Sequence, residues 1–311
     1  MSVRVLITDN DLGDSRFERE LLERELGAEV TIAECSTEDD VLSAVRATNP
    51  TAILVQWAPI TAAVLDAAPD CRIVSRIGIG VDMIDLDAAA SRGIEVRNVP
   101  HYCTEEVATH AIALGLALWR RLLAFDEQVR SGGWDAASAS EDIGRLSTAT
   151  VGLIGLGRIG RLVAHAFDAL GARVIVHDPV AGDDSYPRVG LAELAAESDL
   201  ISLHAPLTAE THHVVDTAFL DGCRKRPYLI NVSRGGLVDT AALGAALEAG
   251  RIAGAGLDVF EEEPLAEDNA LRTAPGTILT PHAAWCSRDA LPALREQAAR
   301  NIVAALSNRS S

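Results

Sequence analysis

Three side chains of the right types for proton and anion chemistry lie in separate short motifs. Arg234 ends the run LINVSR, Glu263 lies in LDVFEEEP, and His282 lies in LTPHAAW. Each sits at or just beyond a β-rich run. In open parallel sheets, ligands gather outside the carboxyl ends of the strands. A guanidinium offers a fixed fork of donors that holds a carboxylate and polarises a carbonyl. An imidazole exchanges a proton near neutral pH. A carboxylate orients that imidazole and favours its protonated form. Together the set suits hydride transfer at a 2-hydroxy or 2-keto carbon, with a cofactor carrying the hydride. Singly, each has a plainer reading: a surface ion pair for Arg234, a solvated acidic run for Glu261–Glu263, a structural histidine beside Pro281 for His282. Their order behind a nucleotide motif weighs against those readings.

That motif is VGLIGLGRIG (151–160), a G-x-G-x-x-G run in which Gly155, Gly157 and Gly160 fall between a β-rich stretch and a helical one. The first glycine permits the turn, the second lets backbone approach a pyrophosphate, and the third lets helix and strand pack closely. The helix start would then present free N–H groups to phosphate. Asp178 closes the next run, RVIVHD, where a carboxylate suits a ribose diol and repels a 2′-phosphate. The expected cofactor is therefore NAD rather than NADP, a preference that Arg158 beside the turn could soften.

The elements that must position these groups follow from the apolar pattern. Runs at 3–8, 28–33, 52–56, 72–78 and 95–99 alternate with helical stretches around 17–26 and 39–47. A second series has strands at 151–155, 173–178, 200–205, 228–233, 254–259 and 277–282, with helices at 158–170, 191–197, 239–250 and 288–307. This βαβ grammar predicts an α/β fold of two Rossmann-like, doubly wound parallel-sheet domains. A long helix is expected over 104–123, with Thr104 in its capping region. The final helix is expected to close the first domain. The expected division is thus 1–100 plus 286–311, a discontinuous flavodoxin-like substrate domain, and 101–285, a Rossmann domain binding NAD.

Length and composition bound the partners. The chain has 311 residues, enough for about two domains, and 48% of them are hydrophobic. Its 27 basic and 45 acidic residues give a net charge of −18, which disfavours nucleic acid and membrane surfaces as partners. No apolar run approaches the roughly 20 residues of a membrane span. The start reads as a first strand rather than a secretory signal. Five scattered cysteines without a C-x-x-C pair fit a reducing, cytoplasmic setting, and no metal site is expected; His212-His213 reads as a solvated loop.

The sequence resembles the D-isomer-specific 2-hydroxyacid dehydrogenases over nearly its whole length. The matching stretches are RIGIGVDMIDLDAAASRGIEVRNVP (76–100), EEVATHAIAL (105–114), GLIGLGRIG (152–160), SLHAPLTAET (202–211), NVSRGGLVD (231–239), GLDVFEEEP (256–264) and TPHAAW (280–285). HAAW, with Trp285, is most similar to the C-terminal-binding-protein branch. The resemblance implies an interdomain cleft in which Arg234 binds the keto acid and His282 is the acid/base with Glu263 as partner. It implies substrate contacts from Arg76, Gly78, Ile79, Gly80 and Trp285. It implies cofactor contacts from Arg158, Ile159, His204, Ala205, Pro206, Thr211, Val232, Ser233, Asp258 and Ala284, besides the glycines and Asp178. It also implies a homodimer formed through the NAD-binding domain, with residues 104–134 at the interface. Trp57 falls where the family's substrate loops vary, either as a pocket wall or as core.

The leading reading is an NAD-dependent oxidoreductase of a small 2-keto or 2-hydroxy acid. Two alternatives share the scaffold: an NAD(H)-responsive, corepressor-like binding protein, and an enzyme acting on a phosphonate-bearing keto acid or phosphite.

Overall fold

The computed structural model describes residues 2–140, 143–180 and 185–307. Of the expected domains, Met1 and residues 308–311 of the first and 141–142 and 181–184 of the second lie outside the described residues. The chain divides into two compact units, residues 1–102 with 287–311 and residues 103–286.

In the first unit, strands β1 (Arg4–Ile7), β2 (Glu29–Ile32), β3 (Ala52–Val55), β4 (Ile73–Arg76) and β5 (Glu95–Arg97) form one sheet in the order β2-β1-β3-β4-β5. Every pair in it is parallel. Helices α1 (Arg16–Leu26), α2 (Glu38–Thr48), α3 (Ala62–Asp66) and α4 (Leu86–Ser91) make the crossovers. Alternation along the strands sends side chains to both faces. Leu6, Ile53, Val55 and Val74 pack on one face with Val41, Val45 and Val64 from α2 and α3. Val5, Ile7, Leu54 and Ile73 pack on the other with Leu21 and Leu22 of α1 and with Leu294, Ala298 and Ile302. Those last three belong to the final helix, Ala290–Ser307. It is held there by Arg295, which pairs with the fully buried Glu18 at 2.6 Å, and by Ser75 Oγ, which donates to the Ala298 carbonyl. The last helix thus returns to the first sheet although nearly 200 residues separate it from β5 in sequence.

The second unit carries helices α5 (Thr104–Trp119) and α6 (Leu122–Arg130) and then strands β6 (Thr150–Ile154), β7 (Arg173–His177), β8 (Leu200–Leu203), β9 (Tyr228–Asn231), β10 (Gly254–Leu257) and β11 (Thr277–Leu279). These six are parallel in the order β11-β10-β9-β8-β6-β7. Helices α7 (Arg158–Ala169), α8 (Leu191–Glu197), α9 (Thr217–Gly222) and α10 (Thr240–Glu248) connect them; the final helix becomes α11. The order reverses between β6 and β8, a switch point that opens a crevice at the strands' carboxyl ends.

Two local expectations are corrected. The helix expected over 104–123 is two helices bent by 60°, because Arg121 takes a left-handed backbone at φ 52° between them. The apolar face of α5 ends on the buried Trp119, whose indole N–H donates to the Gly144 carbonyl, so burial gives no reason to continue straight. The cap of α5 is Cys103 rather than Thr104, and no side chain satisfies its first turn. No single described helix is long and apolar enough to cross a membrane.

Candidate active site

The glycine turn is built on β6, which is buried along its whole length. Gly155 follows at φ +98°, and a Cβ there would lie 2.6 Å from the His204 carbonyl carbon. A Cβ on Gly160 would lie 2.4 Å from the Gly155 carbonyl oxygen. These two glycines are required by the chain's own packing. Gly157 differs: nothing lies within 4 Å of where its Cβ would stand, and as N-cap of α7 it offers no side-chain acceptor to the helix. Its bareness leaves open space at a helix start with free N–H groups, which is what a pyrophosphate needs. Arg158 and Ile159 form the first turn of that helix, Arg158 exposed and Ile159 half-buried.

Asp178, one residue past β7, is held facing this turn. Its Oδ2 accepts the Leu156 N–H at 2.7 Å and its Oδ1 the Val180 N–H at 2.9 Å. Each carboxylate oxygen has further acceptor capacity for a diol. His204 lies across the turn, with Nε2 2.9 Å from Ser202 Oγ. Its Nδ1 is buried without a hydrogen-bond partner among the described residues. Burial pushes this imidazole down to about 3, so it is neutral. A buried polar atom left without a partner beside the glycine turn fits a bound nucleotide.

The loop after β8 carries Ala205, Pro206 and Thr211. The Thr211 hydroxyl donates to the Pro206 carbonyl at 2.7 Å and closes the loop on itself. After β9 come Val232, which is buried, and Ser233, whose hydroxyl donates to the Leu203 carbonyl. Arg234 follows in extended conformation. The buried Asn231 fixes this bend: its Nδ2 donates to the Arg234 carbonyl at 2.8 Å, and its Oδ1 accepts the Ser233 N–H.

Beyond β10 and β11, Glu263 and His282 meet directly, with Oε2 2.7 Å from the imidazole Nδ1. The other glutamate oxygen, Oε1, accepts the Phe260 N–H at 2.9 Å. Burial pushes the Glu263 carboxyl up. The His282 hydrogen bond and charge, the Phe260 N–H and the Arg234 charge outweigh it, and the group titrates below its ordinary range. A carboxylate held ionised makes Nδ1–H the donor and leaves Nε2 as the ring atom that faces away from the pair. The structure therefore brings Glu263 and His282 into direct contact, and the Arg234 charge adds to the effects that hold Glu263 ionised.

His282 is held in a left-handed backbone at φ 51°, a conformation that costs a non-glycine residue on the order of 1 kcal/mol or more. Asp258 over-determines it. This carboxylate, 0% exposed, accepts the Thr280 hydroxyl and the Ala283 and Ala284 N–H groups, and its own carbonyl accepts the His282 N–H. His110 on α5 completes the arrangement, with Nε2 3.1 Å from Thr280 Oγ1 and 3.7 Å from Asp258 Oδ1. Sequence reasoning missed Asn231, Thr280 and His110. The only local signals were a polar residue ending an apolar strand and a histidine on an otherwise apolar helix. Ala284 is buried and Trp285 half-buried at the end of this loop.

In the first unit, Arg76 ends β4 and is only 4% exposed. Its guanidinium carbon lies 4.8 Å from the Trp57 ring centroid, a cation–π contact. A Cβ on Gly78, at φ +146°, would coincide with the Arg76 guanidinium, so only glycine lets that arginine fold back over its own loop. Ile79 and Gly80 are half-buried, and the Ile79 carbonyl accepts from Asn98 Nδ2 at 2.6 Å. Trp57 is 43% exposed, so it is not core. Asp9 and Asp11 hold its loop through the backbone N–H groups of Gln56, Trp57 and Ala58 and through the indole N–H.

Residues 112–284 match the family described as D-isomer specific 2-hydroxyacid dehydrogenase, NAD binding domain. The chain belongs to that family. Its second unit is the NAD-binding domain, and the cofactor is NAD. Members similar to this dehydrogenase include a glyoxylate reductase of Korarchaeum cryptofilum, 40% identical over 257 residues that cover 79% of this chain and 76% of that one. A glycerate dehydrogenase of Methylorubrum extorquens is 35% identical, with 81% of each chain covered. Among solved structures, the D-lactate dehydrogenase of Aquifex aeolicus complexed with NAD and lactic acid superposes with a TM-score of 0.86. It is 31% identical and covers 98% of this chain and 96% of its own.

Proposed function

We propose that this dehydrogenase reduces small 2-keto acids to D-2-hydroxy acids, with His282 as acid/base, Glu263 as its partner and Arg234 as the substrate's anion anchor. The observation that carries the reading is the 2.7 Å contact between His282 Nδ1 and Glu263 Oε2. NAD(H), when bound, would supply the hydride chemistry, and the chain's own residues hold the substrate and move the proton. Arg234 holds the substrate carboxylate and draws electron density from the carbonyl. His282 gives the Nε2 proton to the oxygen that becomes the hydroxyl, and Glu263 stabilises the charged imidazole before that transfer. In the reverse direction the same nitrogen takes the proton back.

NAD would be held by the turn Gly155–Gly160, Asp178, His204, the loop from Ala205 to Thr211, Val232, Ser233 and the loop fixed by Asp258 through Ala284. We also assign substrate contacts to Arg76 and the Gly78–Gly80 backbone, and to Trp285. Leu122, Leu123 and Val129 on α6 are exposed, as is Trp134 at 90%, and large apolar groups left in solvent support a homodimer through this domain. Five free cysteines support a reducing, cytoplasmic setting.

The test is NADH consumption with glyoxylate and with the keto acids corresponding to glycerate and lactate, for wild type and His282→Ala. Turnover that the substitution abolishes supports the assignment. Full activity in His282→Ala overturns it, and tight NADH binding without turnover of any keto acid supports the corepressor-like alternative. Light scattering of the purified protein tests the dimer.

A further inference from the structure

The acidic run Glu261–Glu263 serves two histidines, not one. Two residues before the carboxylate that meets His282, Glu261 Oε1 lies 2.6 Å from Nε2 of His213. Its second oxygen, Oε2, accepts the N–H of Thr240, the first residue of α10, at 2.8 Å. We propose that Glu261 and His213 are a positioning pair that sets the turn Phe260–Glu263 and thereby the carboxylate that orients His282. The proposal rests on the reading of Glu263 and His282 as the acid/base pair.

The turn needs such a clamp. Glu263 reaches His282 with one oxygen and folds back with the other onto the Phe260 N–H, so its place depends on the backbone from 260 to 263. Glu261 ties the turn at two other points. Through Thr240 it is fixed to the start of α10, where a carboxylate is favoured by the free N–H groups and the helix dipole. Through His213 it is fixed to the loop after β8.

That loop is itself anchored beside the arginine. The His213 N–H donates to the Gly236 carbonyl at 2.8 Å, and Val215 exchanges backbone bonds with Leu237 and Asp239. His213 takes a left-handed backbone at φ 51°, and its ring stacks on His212 with centroids 3.9 Å apart. Gly235, next to Arg234, packs so closely on the turn that a Cβ there would lie 1.9 Å from the Phe260 carbonyl. The segments carrying Arg234 and Glu263 are thus joined through the Glu261–His213 hydrogen bond, the His213–Gly236 backbone bond and the close Gly235–Phe260 approach. Burial raises the Glu261 carboxyl, but its bonds to Thr240 and His213 bring it below its ordinary range, so it is ionised whenever Glu263 works near neutral pH.

The experiment compares wild type with Glu261→Ala, His213→Ala, the double variant and Glu261→Gln, using NADH with glyoxylate, and His282→Ala as reference. A displacement of about 1 Å at a reacting group costs roughly 100-fold, so kcat should fall about tenfold or more in either single variant. If the residues act as a unit, the double variant should match the singles within about twofold. The dissociation constant of NADH, read by fluorescence, should stay within about twofold in all of them, since neither side chain belongs to the proposed nucleotide contacts. Glu261→Gln keeps an acceptor for the Thr240 N–H and turns a donor toward His213 Nε2, which the neutral ring can accept in its other tautomer, so it should recover most of kcat. Unchanged kcat in Glu261→Ala, or additive losses in the double variant, overturns the pair while leaving the His282–Glu263 reading intact. Retained activity in His282→Ala overturns both. Should Glu261→Ala fail to fold, His213→Ala, which removes a ring with 32% of its side chain exposed, decides the matter alone.

Discussion

Asp258→Asn tests whether the loop bearing His282 is held by one buried carboxylate. The side chain has no solvent access. Oδ1 accepts the Thr280 hydroxyl at 2.5 Å and the Ala283 N–H at 2.8 Å, and Oδ2 accepts the Ala284 N–H at 2.8 Å. Asparagine keeps the shape but turns one acceptor into a donor. Flipped one way, its NH2 faces the Ala284 N–H; flipped the other way, it faces that of Ala283. Each choice loses a hydrogen bond to a charged acceptor, about 1.5–3 kcal/mol, and orphans a backbone donor, about 1–3 kcal/mol. The expected destabilisation is therefore about 2.5–6 kcal/mol, read as a lower urea midpoint with an unchanged slope. The same loss frees His282 from its left-handed backbone, so kcat for keto-acid reduction should fall at least about tenfold in protein that is still folded. Asp258→Ala removes both oxygens and should be at least as costly. A variant less than about 1 kcal/mol weaker and with full kcat would refute the reasoning, because the loop would then be held by something other than this carboxylate.

The three glycines of the turn should separate cleanly. Gly157→Ala meets no protein atom within 4 Å, so its melting temperature should match wild type while NADH affinity falls; Gly160→Ala, 2.4 Å from the Gly155 oxygen, should lose stability as well. A thermal melt and a fluorescence titration of both variants decide this, and equal behaviour would deny Gly157 its nucleotide role. Gly235→Ala pushes a methyl into the Phe260 carbonyl and should cost about 1–3 kcal/mol together with most of kcat, measured by denaturation and steady-state rates. At the start of α2, the hydrogen bond from the Thr37 hydroxyl and the Ser36 and Thr37 N–H groups hold Asp40 at about 2. Its contribution is fully present above the ordinary carboxylate range and is lost as pH falls through about 2. The stability gap between wild type and Asp40→Ala should therefore be constant from neutral pH to about pH 5 and narrow on further acidification.

Much of the fold was legible because its signals are local. Apolar runs of four to five residues separated by amphipathic stretches specify parallel strands and crossovers, and each described strand falls on an expected run, ten of them inside it and β6 starting one residue early at Thr150. The helix break at Arg121 was not legible. Residues 104–123 contain no proline or turn cluster that would mark a stop, and the bend arises where buried surface ends at Trp119 and the exposed α6 begins. Capping at Cys103 instead of Thr104 reflects the same limit, since the cap follows from where the preceding chain turns.

At the site, residue types alone pointed to Arg234, Glu263 and His282, because a hydride transfer needs an anion anchor, a proton carrier and a partner for it. The glycine spacing and Asp178 were equally readable, being consecutive features of one βαβ unit. Tertiary structure decided what no spacing encodes. Within Glu261–Glu263, it gave Glu263 to His282 and Glu261 to His213. It made Asp258 a buried support, and it brought His110 to Thr280 across 170 positions of chain. A sequence fixes which groups are available within a few residues of backbone. Which donor meets which acceptor depends on how distant loops converge at the ends of a sheet, and only the folded chain sets those distances.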